Sequence, residues 1–352
     1  MIKLTDFTSS EITRFCDFSR NFYSSLETTS QQIISWKMGV GTERPATHLT
    51  SDDGDKTVGR AALIPRSFSH GGEQFEVTQV SDLLIDPNES GGGTLLQLVN
   101  NFKALNKQFV FHTSNQRSDV IYAKLFKFDE LCRISASVIP IRPARLLKPA
   151  ATQSLIKLAV FALDMVYMVP LRCLEHGLEV LGGRYQTVLT KARVQEEAFY
   201  EKFRSVCCVQ FTRDQNFIDR RYVQAPFDYE TLTVKTGENV VCQVFLRDTT
   251  VENKRALVVL DVLSTSQIRF NLKAAIIGAL LRETRIRKLD LIFFMHNKKC
   301  KFTRDFAGLP FVEVPEKLLP HPTPIYWHSK NFALDTRTFD RLYFSLADLD
   351  YF

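Results

Sequence analysis

Tryptophan is scarce in this chain, two residues in 352. Other absences say more. The seven cysteines (Cys16, Cys132, Cys173, Cys207, Cys208, Cys242 and Cys300) form no C-x-x-C pair, so neither a zinc knuckle nor a thioredoxin-type motif is present. Their odd number and scatter suit free thiols in a reducing compartment, most of them small buried hydrophobes. The seven histidines form no H-x-H or H-x-x-x-H pair, and no metal site is expected. No G-x-S-x-G elbow supports hydrolase chemistry, and there is no G-x-G-x-x-G fingerprint or P-loop G-K-[ST]. Met1 to Phe15 is charged and polar throughout. A secretory signal is not expected there, and a cytoplasmic protein is the default.

Long apolar runs are also missing. The longest candidate, residues 155–171, is interrupted by Lys157 and Asp164 and closed by Pro170, too short and charged for a good spanning helix. On a helix, Lys157, Asp164, Arg172, Glu175 and Glu179 share one narrow stripe and leave a wide apolar face. That suits a connecting helix buried between two domains. The sharper alternative is peripheral contact with a membrane interface, making the protein membrane-associated. Mixed charge on the stripe weakens it.

What the chain has is length, an ordinary globular balance and phenylalanine. Hydrophobic residues make up 45% and charged residues 24%, which excludes disordered and collagen-like chains. The length suggests two domains. The net charge of +6 tolerates an anionic ligand. It lacks the dense basic stripes of a dedicated nucleic-acid binder. The 28 phenylalanines point to aromatic cores or grooves without naming a chemistry.

The two halves resemble each other. Leu49-Thr50 precedes Gly54 as Leu232-Thr233 precedes Gly237, and Trp36 and Arg220 stand 18 and 17 residues before those glycines. Asp-Gly and Thr-Gly mark hairpin turns. Each half then runs strand, helix, strand, so an internal duplication is expected. The predicted architecture is an α/β chain of mixed sheets with helices on their faces. The predicted units are residues 1–148, a helical linker over 149–200, and residues 201–352.

The strongest local signal is a strand of about 75–85, then Gly91-Gly92-Gly93, then a helix opening near Thr94. Glycines let backbone N–H groups approach a ligand, and the helix adds the positive end of its dipole. This suits a phosphate or pyrophosphate site; a plain flexible turn fits the glycines equally well. After the next strand come Asn115, then Tyr122, seven residues on, and Lys124-Leu125.

These segments resemble the GCN5-related N-acetyltransferases (GNATs). In that family a Gly-rich turn, running Arg/Gln-x-x-Gly-x-Gly/Ala, holds the pyrophosphate of acetyl-CoA. Ser90 stands at the Arg/Gln place, Gly93 matches the Gly, and Leu95 stands at the Gly/Ala place, so the turn is degenerate. The resemblance implies that Ser90, Gly91, Gly92, Gly93, Thr94 and Asn115 contact acetyl-CoA or another acyl-CoA as co-substrate, without a metal. It implies a strand bulge at Leu84 and Ile85 whose N–H meets the thioester carbonyl. Tyr122 would protonate the leaving thiolate; a core aromatic is the alternative. Asp82, Asp86 and His112 lie near the right strand ends, but none stands out as a general base.

The second half has Val262 to Gln267 where the glycine turn should be, so no coenzyme is expected there. Its entry segment and the acidic chain end resemble two-domain members found among bacterial surface-polysaccharide genes. The implied function is acyl transfer to the nitrogen or oxygen of a small-molecule or envelope-sugar acceptor. Two alternatives remain: an aminoacyl-tRNA-dependent transferase of envelope precursors, and a binding or scaffold protein whose site has decayed.

Overall fold

Gly54 and Gly237 adopt φ of 58° and 59°, left-handed backbone that glycine takes without steric cost. Each closes a hairpin, and the hairpins organise two similar half-sheets. The computed structural model describes residues 1–23, 29–86, 88, 92–105, 109–113, 121–143, 154–316, 319, 324–329 and 336–349. The first half contains β1 (Ile2–Asp6), α1 (Ser9–Arg20), α2 (Gln31–Met38), β2 (Thr47–Asp53), β3 (Lys56–His70), β4 (Glu73–Ile85), α3 (Gly93–Leu105), β5 (Val110–Thr113), a π-helical turn (Ile121–Leu125) and β6 (Asp129–Pro140). Then come α4 (Ser154–Leu181), β7 (Gln186–Lys191), α5 (Glu197–Val206), β8 (Val209–Phe211), β9 (Glu230–Thr236), β10 (Asn239–Val251), β11 (Lys254–Ser264), α6 (Phe270–Ile286), β12 (Leu291–Asn297), β13 (Val312–Glu313) and β14 (Pro324–His328). The polar segment 191–204 is helical only from Glu197; its start belongs to β7.

Among the described residues, fourteen strands make one continuous mixed sheet in the order β1-β2-β3-β4-β5-β14-β6-β12-β11-β10-β9-β7, with β8 on β3 and β13 on β6. The join is an exchange of strands. β14, from late in the chain, lies antiparallel between β5 and β6. β6 in turn runs on past Arg133, and its residues Ile134–Pro140 pair with β12 of the second half. Each half therefore contributes a strand to the other.

β3 shows why helices cover both faces. Ala61 and Leu63 point one way and Ala62 and Ile64 the other, as strand alternation requires, and all four are buried. Ala61 and Leu63 pack with Leu98, Val99 and Phe102 of α3. Ala62 and Ile64 pack with Phe15 and Cys16 of α1 and with Ile34 and Met38 of α2.

Within the charged stripe of α4, Glu175 and Glu179 turn toward α6 while Arg172 stays exposed. Glu175 accepts two hydrogen bonds from Arg285 of α6, at 2.9 and 2.8 Å. Glu179 pairs with Arg282 at 3.2 Å. Val166, Val169 and Val180 are exposed instead. Close approach to α6 requires Gly182, where a Cβ would lie 2.6 Å from the Ala275 backbone. Among the described residues no helix is long and apolar enough to cross a membrane. All seven cysteines are free thiols.

Arg213, fully buried, joins the two halves to the end of the chain. Its Nε–H donates to Asp261 at 2.8 Å, two N–H groups reach Asp348 at 2.7 Å, and the others go to Phe211 O and Ser345. All five donors of the guanidinium are used. Burial opposes its charge, and the carboxylates of Asp261 and Asp348 outweigh that, raising its pKa. From the first half, Gln79 Nε2 donates to Asp348 O at 3.2 Å and Arg66 lies 3.4 Å from its carboxylate. Replacing Arg213 with Met leaves two carboxylates buried without their cation. The expected loss is about 3–5 kcal/mol of unfolding free energy, measured by urea denaturation. A change below about 1 kcal/mol would show that the hub does not hold the halves together.

Two buried histidines give a pH dependence. Burial pushes His48, beside Glu11, and His296, beside Ser137, each down to about 4. The unfolded chain, with histidine pKa near ~6.5, then binds protons first. Stability should be full above about pH 6.5 and fall toward pH 4. Melting temperature against pH checks this. The slope should be shallower in His48→Gln and His296→Gln, and an unchanged slope would refute it.

Candidate active site

In the first half β4 and β5 pair in parallel only at Thr78/Val110, Gln79/Phe111 and Val80/His112. Beyond Val80, β4 runs on to Ile85 beside β3 alone among the described residues. A bulge accompanies the separation. Arg60 faces Leu84 and Ala62 faces Ser81, so Asp82 and Leu83 together oppose Ala61. Asp82 takes a φ of 50° there. The irregularity lies two residues before Leu84 and Ile85, which are back in register with Arg60 and Gly59. Asp86 N–H donates to Val58 O at 2.9 Å. By the alternation of an antiparallel ladder, the N–H of Ile85 then points away from β3, toward the gap.

α3 begins at the end of this strand. Gly93 is its first residue, and Leu96 N–H already bonds Gly92 O at 2.9 Å. Among the described residues, a Cβ on Gly92 or Gly93 would meet no atom within 4 Å. Neither takes a positive φ. Among the described residues, neither packing nor backbone strain accounts for these glycines. No local pattern marked Gly59, which seats the helix. A Cβ there would stand 2.7 Å from Thr94 Cγ2, 3.0 Å from Ile85 Cδ1 and 3.1 Å from Leu98 Cδ1. Ser90, Gly91 and Asn115 lie outside the described residues.

Tyr122 comes from the π-helical turn and is 4% exposed. Its ring packs on His112, 3.5 Å between centroids, and against Phe126, Phe128 and Tyr326. His112 is the β5 residue at which pairing with β4 ends, so the phenol adjoins the root of the gap. Burial raises its pKa, which keeps it protonated.

The other acid–base candidates are engaged. Burial works against ionised Asp82, but Lys37 Nζ, at 2.7 Å, and Arg60 outweigh it and hold the carboxyl below its ordinary value. Asp86 is lowered by Lys56 and by the N–H of Asn88. His112 is buried. Among the described residues no cluster of three metal-ligating side chains exists.

The second half forms the same gap and fills it. β11 and β12 pair in parallel only as far as Val259/Phe294. Past that point the chain end lies between them. Val262 N–H donates to Tyr343 Oη at 2.9 Å, and Asn297 N–H to Phe344 O at 3.3 Å. Asn297, which stands where Asn115 does in the first half, spends its side chain on Phe339 O and Leu342 O.

Between the halves, on the α2 face of β3, is a cavity of about 500 Å³ lined by Trp36, Lys37, Arg66, Phe217, Arg220 and Arg221 among others. Trp36 and Arg220, at matching places in the two halves, meet there: Trp36 Nε1 donates to Arg220 O at 2.6 Å. Lys37 links the cavity to Asp82 in the bulge.

No family model and no curated protein matches the sequence. Solved structures do match in fold. A tandem GNAT protein from the clavulanic acid biosynthesis pathway superposes with a TM-score of 0.56 at 9% identity, over 94% of this chain and 98% of its own. A GCN5-related N-acetyltransferase from Anabaena variabilis gives 0.59 at 9% identity, over 93% and 72%. One from Kribbella flavida gives 0.54 at 9%, over 94% and 72%. The fold is that of the tandem GNATs.

Gly59→Val should force α3 off the end of β4. The expected cost is about 1–3 kcal/mol by urea denaturation, larger than for Gly177→Val, where a Cβ meets nothing within 4 Å and the backbone is not left-handed. Equal costs would show that α3 is not seated on Gly59.

Proposed function

We propose, from the tandem acetyltransferase fold, that the chain is an acyl-CoA-dependent N- or O-acyltransferase with one coenzyme site, in its first half. The open flank of Ser81–Ile85 beside the glycine start of α3 carries this reading. Backbone N–H groups at Gly92, Gly93 and Thr94 would receive the pyrophosphate at the positive end of the helix dipole, with Ser90, Gly91 and Asn115 completing the set. Leu84 and Ile85 would line the thioester. The Ile85 N–H would donate to its carbonyl oxygen as negative charge develops.

The acceptor amine or hydroxyl attacks the thioester carbonyl, the carbon–sulfur bond breaks, Tyr122 gives its proton to the thiolate, and the proton shed by the acceptor restores the Tyr122 phenol through solvent. The acceptor, a small molecule or an envelope sugar, would enter from the cavity on the opposite face of the sheet. A second reading, a binding protein whose transfer chemistry has lapsed, is favoured by the close cover over Tyr122.

Calorimetric titration with acetyl-CoA should give one site per chain, because the second gap is filled. Gly92→Glu or Gly93→Glu should weaken binding about tenfold or more, ~1.4 kcal/mol. Absence of heat with acetyl-CoA and with longer acyl-CoAs would refute both readings of the site. Tyr122→Phe should leave the acetyl-CoA affinity nearly unchanged. It should slow release of free CoA thiol, with a panel of amines, by roughly a hundredfold. Binding without thiol release in the wild type would select the lapsed-enzyme reading.

A further inference from the structure

The cavity between the halves contains two guanidiniums that lack an anion among the described residues. Its other cations are paired: Lys37 with Asp82, Arg44 with Glu76 and Arg66 with Asp348. Arg220 and Arg221 are half-buried neighbours on a π-helical turn, Asp219–Val223. Arg220 rests on Gly39, the left-handed cap of α2, and donates to Lys37 O at 3.3 Å. Arg221 donates to Leu349 O at 2.9 Å and lies 5.1 Å from the centre of the Trp36 ring. Its Nε is buried without a hydrogen-bond partner. Neither has a carboxylate within 4.0 Å among the described residues. Of the acids that line the cavity, Asp214 accepts from Phe217 N–H and Asp219 from Gln224, and Glu43 makes no ion pair with either arginine. Burial and the adjacent Arg221 both act to pull the Arg220 pKa down, the sign of like charges held together without compensation.

We infer that this cavity binds a small molecule through a carboxylate or phosphate group held by Arg220 and Arg221. Guanidinium edges present paired N–H groups that match the oxygens of either anion. Trp36 and Phe217 supply apolar walls for the body of the ligand, and the volume lies in the range of small-molecule sites. The floor includes Ile64 of β3. Ile64 is two residues, about 7 Å along a strand, from Ala62, which faces Ser81 at the bulge. Lys37 spans the same route through Asp82. A ligand anchored at the arginines therefore points its other end toward the gap. Identifying it as the acceptor rests on the transferase reading; the anion site itself does not.

Trp36 is a built-in reporter, since the only other indole, Trp327, is buried in β14. The full chain is titrated with inorganic phosphate and, separately, sodium succinate, at ionic strength held constant with chloride. Trp36 emission should change saturably with at least one of them, and the change should vanish in Trp36→Phe. The tighter of the two anions tells phosphate from carboxylate. Affinity should fall about tenfold, ~1.4 kcal/mol, in Arg220→Gln/Arg221→Gln. Arg221→Gln alone, which leaves the contact with α2 intact, should weaken it in the same direction. No saturable change with either anion, or equal affinity in the arginine variants, overturns the inference. So does displacement of the anion by acetyl-CoA, which would make the cavity part of the coenzyme site. An intact anion response in a chain that binds no acyl-CoA would support this inference while refuting the transferase reading.

Discussion

A single buried cation holds the two halves and the chain end in one arrangement. Arg213 spends every donor on Asp261, Asp348, Ser345 and Phe211. A guanidinium is stable without water only when its partners come from fixed positions, and here they come from β11, the β8 region and the last described turn. With that turn fixed, Tyr343 and Phe344 occupy the second gap. Asp348 becomes available to Gln79 and Arg66 of the first half. The asymmetry between a filled gap and an open one follows from where this charge is neutralised.

The two halves repeat one order of strands and helices, and among the described residues one leaves a gap between its parallel strands while the other closes its own. Glycines distinguish them locally. Gly92 and Gly93 leave space at the start of α3, whereas α6 starts at Phe270 after a stretch without glycine. The long-range difference is the chain end, which in the second half takes up the N–H groups of Val262 and Asn297.

Much of this was legible in the sequence wherever the signal is local. The hairpin glycines, the strand–glycine–helix order and the α/β class all depend on a few adjacent residues. The bulge was legible only within two residues, because either placement gives the same alternation of side chains on β4 outside Asp82–Ile85. The strand exchange was not, since pairing of β14 with β5 leaves no periodic trace in either segment. Nor did the α4 pattern show which face turned inward, because Glu175 and Glu179 find arginines a hundred residues away. The abundance of phenylalanine also gains a place. Phe68, Phe109, Phe111, Phe211 and Phe344 stack across the seam between the halves.

The exchanged strands also dictate an order of assembly. β5 can acquire its second neighbour only when a segment about 200 residues later has been made. Contacts so distant in sequence are slow to form. During synthesis the first half must wait with the outer flank of β5 bare, an edge able to pair with another chain. Cutting the gene between the repeats would leave each product short of a strand. Neither half completes its own sheet without a strand from the other.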